Sequence, residues 1–210
     1  MKTPQLHAVF RRYLLPALSG FVPCRRMLIS KPIDHLLRGF SFEASGFDAS
    51  GFFLEAFVLP LYVPQKHLSF TFGSRIGSFW VIDNLTADHI MTNVLDCVMS
   101  KGLPLLDRSS TIRDFAQWAD NLPHAADPHV QEAISFSFVL CREWHVANSK
   151  LERHMMKLTE HIDDHPESNW IRDMFLRAER IHEALRVDPN SALHLLAEWE
   201  ASSRRNLRLT

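Results

Sequence analysis

The sequence predicts an α+β fold: an antiparallel meander of three or four strands covered by helices, followed by an all-helical C-terminal array. Three observations predict it. Period-two alternation dominates only between residues 36 and 83. All seven glycines lie at or before Gly102, so later turns must rely on Asn, Asp and Pro. Most of the remaining chain reads as apolar stripes at helical spacing.

Taken in order, residues 4–18 read as a first helix, because Leu6, Val9, Phe10, Tyr13, Leu14 and Ala17 share one face. Pro4 is tolerated in its first turn, and Pro16 kinks or ends it. Residues 21–35 form a connector that includes a short strand at 27–30. In the sheet, Phe40 and Phe42 point one way and Ser41 and Glu43 the other. Residues 44–51 supply two glycines and an aspartate for a reversal. Residues 52–63 are apolar on both faces except at Glu55, the pattern of a strand covered on both sides. Pro60 confines that strand to an edge, a bulge or an interruption. After a turn at residues 64–67, Leu68, Phe70 and Phe72 alternate with Ser69 and Thr71. Gly73 and Gly77 bracket a further bend, and residues 78–83 form a fourth strand. Buried phenylalanines contribute about 1.5–3 kcal/mol each, so this face requires helices over it.

Thr86 then caps a helix whose stripe is Ile90, Met91, Val94, Leu95, Val98 and Met99, with Gly102 ending it and Pro104 just beyond. Ser109 or Ser110 caps another helix to about residue 122. Residues 123–128 are a break. Residues 130–162 read as two packed helices with a turn near 145–148, because Ser137 and Asn148 would spoil a continuous coiled-coil seam. A second break at 163–167 precedes a helix capped by Ser168, with a stripe of Trp170, Ile171, Met174, Phe175, Ala178, Ile181, His182 and Leu185. Residues 188–191 open the last helix, which buries Ala192, Leu195, Leu196 and Trp199. The domains expected are residues 1–122, a sheet lobe with flanking helices, and 128–210, a helical lobe. Its helical pairs resemble tetratricopeptide-type hairpins, without a repeat of 34 residues.

The formal net charge of −1 argues against a generic nucleic-acid binder. It is unevenly spread: residues 1–80 hold nine Lys/Arg against four Asp/Glu, and residues 81–210 hold fourteen against twenty. This reads either as two weakly attracting lobes or as a basic surface on the sheet lobe that meets an acidic partner. Six Lys/Arg precede the first acidic residue, Asp34, as in a transit peptide, but the same stretch is accounted for by an amphipathic helix on a core. The three cysteines have no framework spacing, which fits a reducing compartment, with Cys97 and Cys141 as buried thiols. No apolar run reaches the roughly 18–20 residues of a membrane span. The expected location is the cytoplasm, with no membrane contact.

Candidate chemistry is sparse. Twelve histidines invite a metal reading, and His161 and His165 stand at i, i+4. Pro166 disfavours helix at His165, however, and Ile162 occupies the position where a zincin motif needs glutamate. Neither a metal nor another cofactor is expected. No nucleophile elbow occurs. Cys141 with His145 reads better as an inert thiol on an apolar stripe. Arg38, Glu43, Glu55 and Arg75 are charges embedded in the sheet, either as cross-strand pairs on an exposed face or as the lining of a cleft. Phe47 at a hairpin tip, with Tyr62, His67 and Trp80 near strand ends, are candidate aromatic or imidazole contacts for a partner.

The surroundings of Arg38-Gly39-Phe40, Pro60-Leu61-Tyr62-Val63-Pro64 and Phe72-Gly73, in the order helix, meander, helix, resemble small α+β bacterial families of unknown function, some found in immunity and polymorphic-toxin gene neighbourhoods. The resemblance covers roughly residues 5–120. It implies a protein that binds and neutralises a partner such as a toxin or the product of an adjacent gene, and it carries over no functional residue. The expected function is therefore a non-catalytic protein-binding module, with Arg38, Glu43, Phe47, Glu55, Tyr62, His67, Arg75 and Trp80 as its candidate contacts. Two alternatives stay open: a small hydrolase or nucleotide-handling enzyme using a sheet carboxylate and a histidine, and a helical-repeat scaffold.

Overall fold

The computed structural model describes residues 3–46, 51–82 and 87–209. Thr86 and Phe47 fall outside them. The order of elements is α1 (Thr3–Tyr13), β1 (Phe21–Cys24), β2 (Met27–Ser30), β3 (Leu36–Ala44), β4 (Gly51–Pro60), β5 (Phe72–Val81), α2 (Ala87–Cys97), α3 (Leu103–Asp107), α4 (Ile112–Asp120), α5 (Pro128–Leu140), α6 (Trp144–Asp164), α7 (Asn169–Val187) and α8 (Pro189–Leu207). Contacts divide the chain into two units, Met1–Leu59 with Phe72–Arg108, and Pro60–Thr71 with Ser109–Thr210. Helix α4 thus belongs with the later helices, as does the segment joining β4 to β5.

The first unit is α+β. Its sheet is antiparallel in the order β1-β2-β3-β4-β5, five strands where three or four were expected. The unforeseen strand is β1, which Pro23 disguises. A proline lacks the N–H for a second ladder, and β1 sits at the sheet edge, where none is needed. Arg25 and Arg26 form the two-residue turn between Cys24 and Met27, with Arg25 at φ +53°. At the other edge, β5 is one strand rather than two, and residues 68–71 precede it without being part of it. The bend expected near Gly77 is instead a bulge. Phe52 pairs with Trp80 and Leu54 with Ile76, so residues 77–79 stand opposite Phe53 alone. Gly77 takes φ +76°, and the Trp80 indole lies where a side chain there would go.

The alternation of β3 and β4 delivers the phenylalanine face to helices. Phe10 of α1 stacks on Phe42 with ring centroids 3.5 Å apart and meets Phe52 edge-on at 5.2 Å. Tyr13 of α1 donates a hydrogen bond to Asp88 of α2. The helix begun by α2 does not stop at Gly102. A π-turn at Val98–Gly102 runs directly into α3, with Pro104 accommodated in the first turn. Gly102 is there for close approach, since a Cβ on it would lie 2.5 Å from the Phe40 ring and 2.9 Å from Ile76 Cδ1.

The second unit is helical apart from residues 60–71. Thr111, not Ser109 or Ser110, caps α4: its Oγ1 accepts from the Asp114 N–H, and Asp114 Oδ2 accepts from the Thr111 N–H. Each helix from α4 to α8 packs on the next. Residues 130–162 do divide into two helices, but at residues 141–143, where Arg142 adopts φ +59°. That division separates Cys141, which ends α5, from His145 in α6. Cys141 and Cys97 are half-buried rather than enclosed. Leu158, Ile171 and Met174 form one core cluster, joined at its margin by Ile162 and Phe175. Among the described residues no helix is long and apolar enough to cross a membrane.

Candidate binding site

The sequence-predicted residues separate into two groups. Arg38, Glu43, Glu55, Arg75 and Trp80 belong to the first unit, and Tyr62 and His67 to the second. On the sheet, Glu55 and Arg75 are register partners, and Arg75 Nε donates to Glu55 Oε1 at 3.1 Å. The Arg75 guanidinium also lies 3.9 Å from the centroid of Phe53, whose ring adjoins Phe79 at 5.1 Å. This is a cross-strand ion pair over an aromatic patch. Arg75 is 54% exposed, so the pair contributes at most about 1 kcal/mol. Glu43 accepts a hydrogen bond from Ser41 at 2.7 Å, and Arg38 is half-buried on β3. Trp80 is half-buried, and among the described residues its Nε1 has no hydrogen-bond partner.

Tyr62 is not a surface aromatic. It is wholly buried in the second unit, with its hydroxyl 2.6 Å from Ser137 Oγ on α5. Burial raises its phenol well above the ordinary tyrosine range. That contact is one of several that fasten residues 60–71 to the helices. Ser203 of α8, also fully buried, accepts from the Gln65 N–H at 2.9 Å and donates to the Val63 carbonyl at 3.2 Å. Asn206 donates to the Gln65 carbonyl at 2.9 Å. His124 Nε2 lies 3.1 Å from the Thr71 carbonyl. Backbone polar groups of Val63, Gln65 and Thr71, in a segment largely without regular structure, are thus met by side chains of the helical unit.

The fastened segment forms one wall of an open groove of about 720 Å³, lined by residues 64–69, by His129 at the start of α5, by Trp170, Asp173, Leu176 and Arg177 of α7, and by Ser202 and Asn206 of α8. His67, predicted as a contact, lies in this wall. Two large apolar side chains open into it: Trp170 is 48% exposed and Leu176 58%. The His129 ring stacks on Trp170 with centroids 5.3 Å apart and planes 14° from parallel. Arg177 is fixed from behind. Its Nε and Nη2 donate to the two carboxylate oxygens of Glu132, at 2.8 and 3.1 Å, and the Glu132 side chain is wholly buried. Burial pushes the Glu132 carboxyl up, and Arg177 works against that shift.

Sequence reading missed Trp170 by assigning it to the buried stripe of α7. The buried residues are Ile171, Met174, Ala178, Ile181 and Leu185. Trp170 stands four residues before Met174 and eight before Ala178, at the margin of that stripe, so spacing alone does not set it apart from the core. The groove itself has no local signature, because it depends on contacts between segments far apart in sequence.

Of the histidines paired by spacing, His161 lies in the last turn of α6. His165 ends α6 out of helical geometry and lies 3.8 Å from Glu167, both exposed. Among the described residues, no group of three or more His, Cys, Asp or Glu could hold a metal ion. Comparison of the chain with protein-family models, with curated proteins and with solved structures finds no match.

Proposed function

We propose that this chain is a protein-binding module that takes a short segment of a partner polypeptide into the groove of its helical unit. The observation that supports this reading is the joint exposure of Trp170 and Leu176 inside one polar-rimmed groove. The two positions lie six residues apart on α7, about 9 Å along the helix axis, a span that a few residues of partner chain would cover. Large apolar side chains partly exposed in a recess, surrounded by ordered polar groups, are the anatomy of an interface hot spot. The groove is also preorganised. His129 holds the indole plane, Glu132 holds the Arg177 guanidinium, and Ser203 with Asn206 holds the wall, so little side-chain freedom remains to be lost on binding.

A library of random linear peptides selected against the full chain tests this. Peptides carrying an aromatic or aliphatic anchor should be enriched, and Trp170→Ala should weaken them by roughly tenfold or more. Leu176→Asp should act in the same direction. The product of an adjacent gene is the first natural partner to assay against the same variants. Failure to enrich any peptide, or equal retention by both variants, would overturn the reading.

A further inference from the structure

A separate surface in the first unit carries its own chemistry. The end of α1 and the β1–β2 turn bring Arg11, Arg25 and Arg26 around one shallow recess, floored by Phe10, Met27, Leu28 and Phe42. All three arginines are exposed, and none of them takes part in the salt bridges found among the described residues. Arg11 has a structural reason to be basic, since it stands in the last turn of α1, where cations complement the helix dipole. Arg25 and Arg26 have no such reason. Arg25 occupies a left-handed position of a two-residue hairpin turn, a place that favours Asn, Asp or Gly. The turn therefore keeps a cation where an uncharged residue would fit the backbone better.

From this juxtaposition we propose that the arginine-rimmed recess docks an acidic segment of a partner protein, its carboxylates paired by the three guanidinium groups. Charge complementarity argues for that occupant, because guanidinium groups match carboxylates bidentately. Two other anionic partners fit less well. Affinity for duplex DNA grows with the number of phosphates neutralised, and three arginines neutralise about three. A lipid surface would need apolar side chains to insert, but Phe10, Leu28 and Phe42 are at most 3% exposed. The recess has room for about one water-sized group, about 10 Å³, so it admits no base or acyl chain. The floor is buried, so recognition falls to the charged rim.

The test uses the full chain with a fluorescent synthetic peptide alternating Glu and Ser, which carries no apolar anchor for the groove of the helical unit. Binding should weaken as salt is raised, and the triple variant Arg11→Gln/Arg25→Gly/Arg26→Gln should reduce affinity by about tenfold or more. Arg25→Gly alone removes a charge while relieving the backbone, so it should bind more weakly with an unchanged or higher melting temperature. Trp170→Ala should leave this binding intact, which separates it from the groove of the helical unit. No binding of the peptide, equal binding by the triple variant, or tighter arginine-dependent binding to a DNA duplex or to phosphatidylserine vesicles would overturn the proposal.

Discussion

Arg177 grips Glu132 with two parallel hydrogen bonds, and the carboxylate it grips has no exposure to solvent at all. The pair joins α7 to α5 beneath the groove. Its value lies in its completeness. Arg177→Met would leave a buried carboxylate without its cation, at a cost of about 3–5 kcal/mol. Glu132→Leu combined with Arg177→Met should recover much of that loss, because no charge then stays buried. Urea unfolding of both variants measures the difference. Equal destabilisation of the single and double variants would show that packing, not charge, decides the site.

His154 makes the helical unit sensitive to acid. The side chain is 2% exposed, and among the described residues its Nε2 has no hydrogen-bond partner. Burial, with Arg177, Lys157 and His129 near by, pushes the imidazole down to about 4 from its ordinary 6.5. The unfolded chain therefore binds a proton that the folded chain refuses between those two values. Stability is present above pH 6.5 and is lost as pH falls toward 4, by about 3 kcal/mol in all. Glu132, shifted up by its burial, titrates in the opposing sense. The comparison to make is wild type against His154→Leu across this range, where the variant should show the flatter profile.

Gly102→Ala tests the close approach of the π-turn to the sheet. Its Cβ would press on Phe40 and Ile76, and overpacking of this kind costs about 1–3 kcal/mol. Gly46 has nothing within 4 Å of an added Cβ, so Gly46→Ala should stay within about 0.5 kcal/mol of wild type. Thermal unfolding of the two variants side by side isolates the steric effect from the change in glycine entropy.

Tyr62→Phe removes the hydroxyl that meets Ser137. The serine keeps a partner, since its Oγ also donates to the Ala133 carbonyl at 2.7 Å. The loss should therefore be about 1 kcal/mol in chemical denaturation. Ser137→Ala strands the buried phenol instead, and should cost more than Tyr62→Phe.

Much of the fold was legible because its physics is local. Phe40 and Phe42 alternate with polar neighbours, and that alone gave β3 and its buried face. The absence of glycine after Gly102 gave the helical unit. What escaped depended on context. Pro23 argues against a strand unless the strand lies at an edge, and the edge is a property of the assembled sheet. Gly77 reads as a turn but serves a bulge, a distinction made only by the pairing of β5 with β4. Gly102 reads as a helix stop but answers to a phenylalanine ring more than sixty residues earlier. Arg142 turns the chain between α5 and α6 with no glycine to announce it. Of the candidate contacts, Glu55 and Arg75 were recognisable as a cross-strand pair, whereas Trp170 was hidden by its similarity to the core residues beside it.

The chain passes between its two units three times, after Leu59, Thr71 and Arg108. No single cut therefore yields two whole parts. A fragment ending before residue 109 would carry Tyr62 and Val63 stripped of the helices that receive them. During synthesis, Gln65 leaves the ribosome 138 residues ahead of the serine that will tether it. The tethers from Ser203 and Asn206 can form only once α8 has been made, so that helix is the latch on a segment translated long before it.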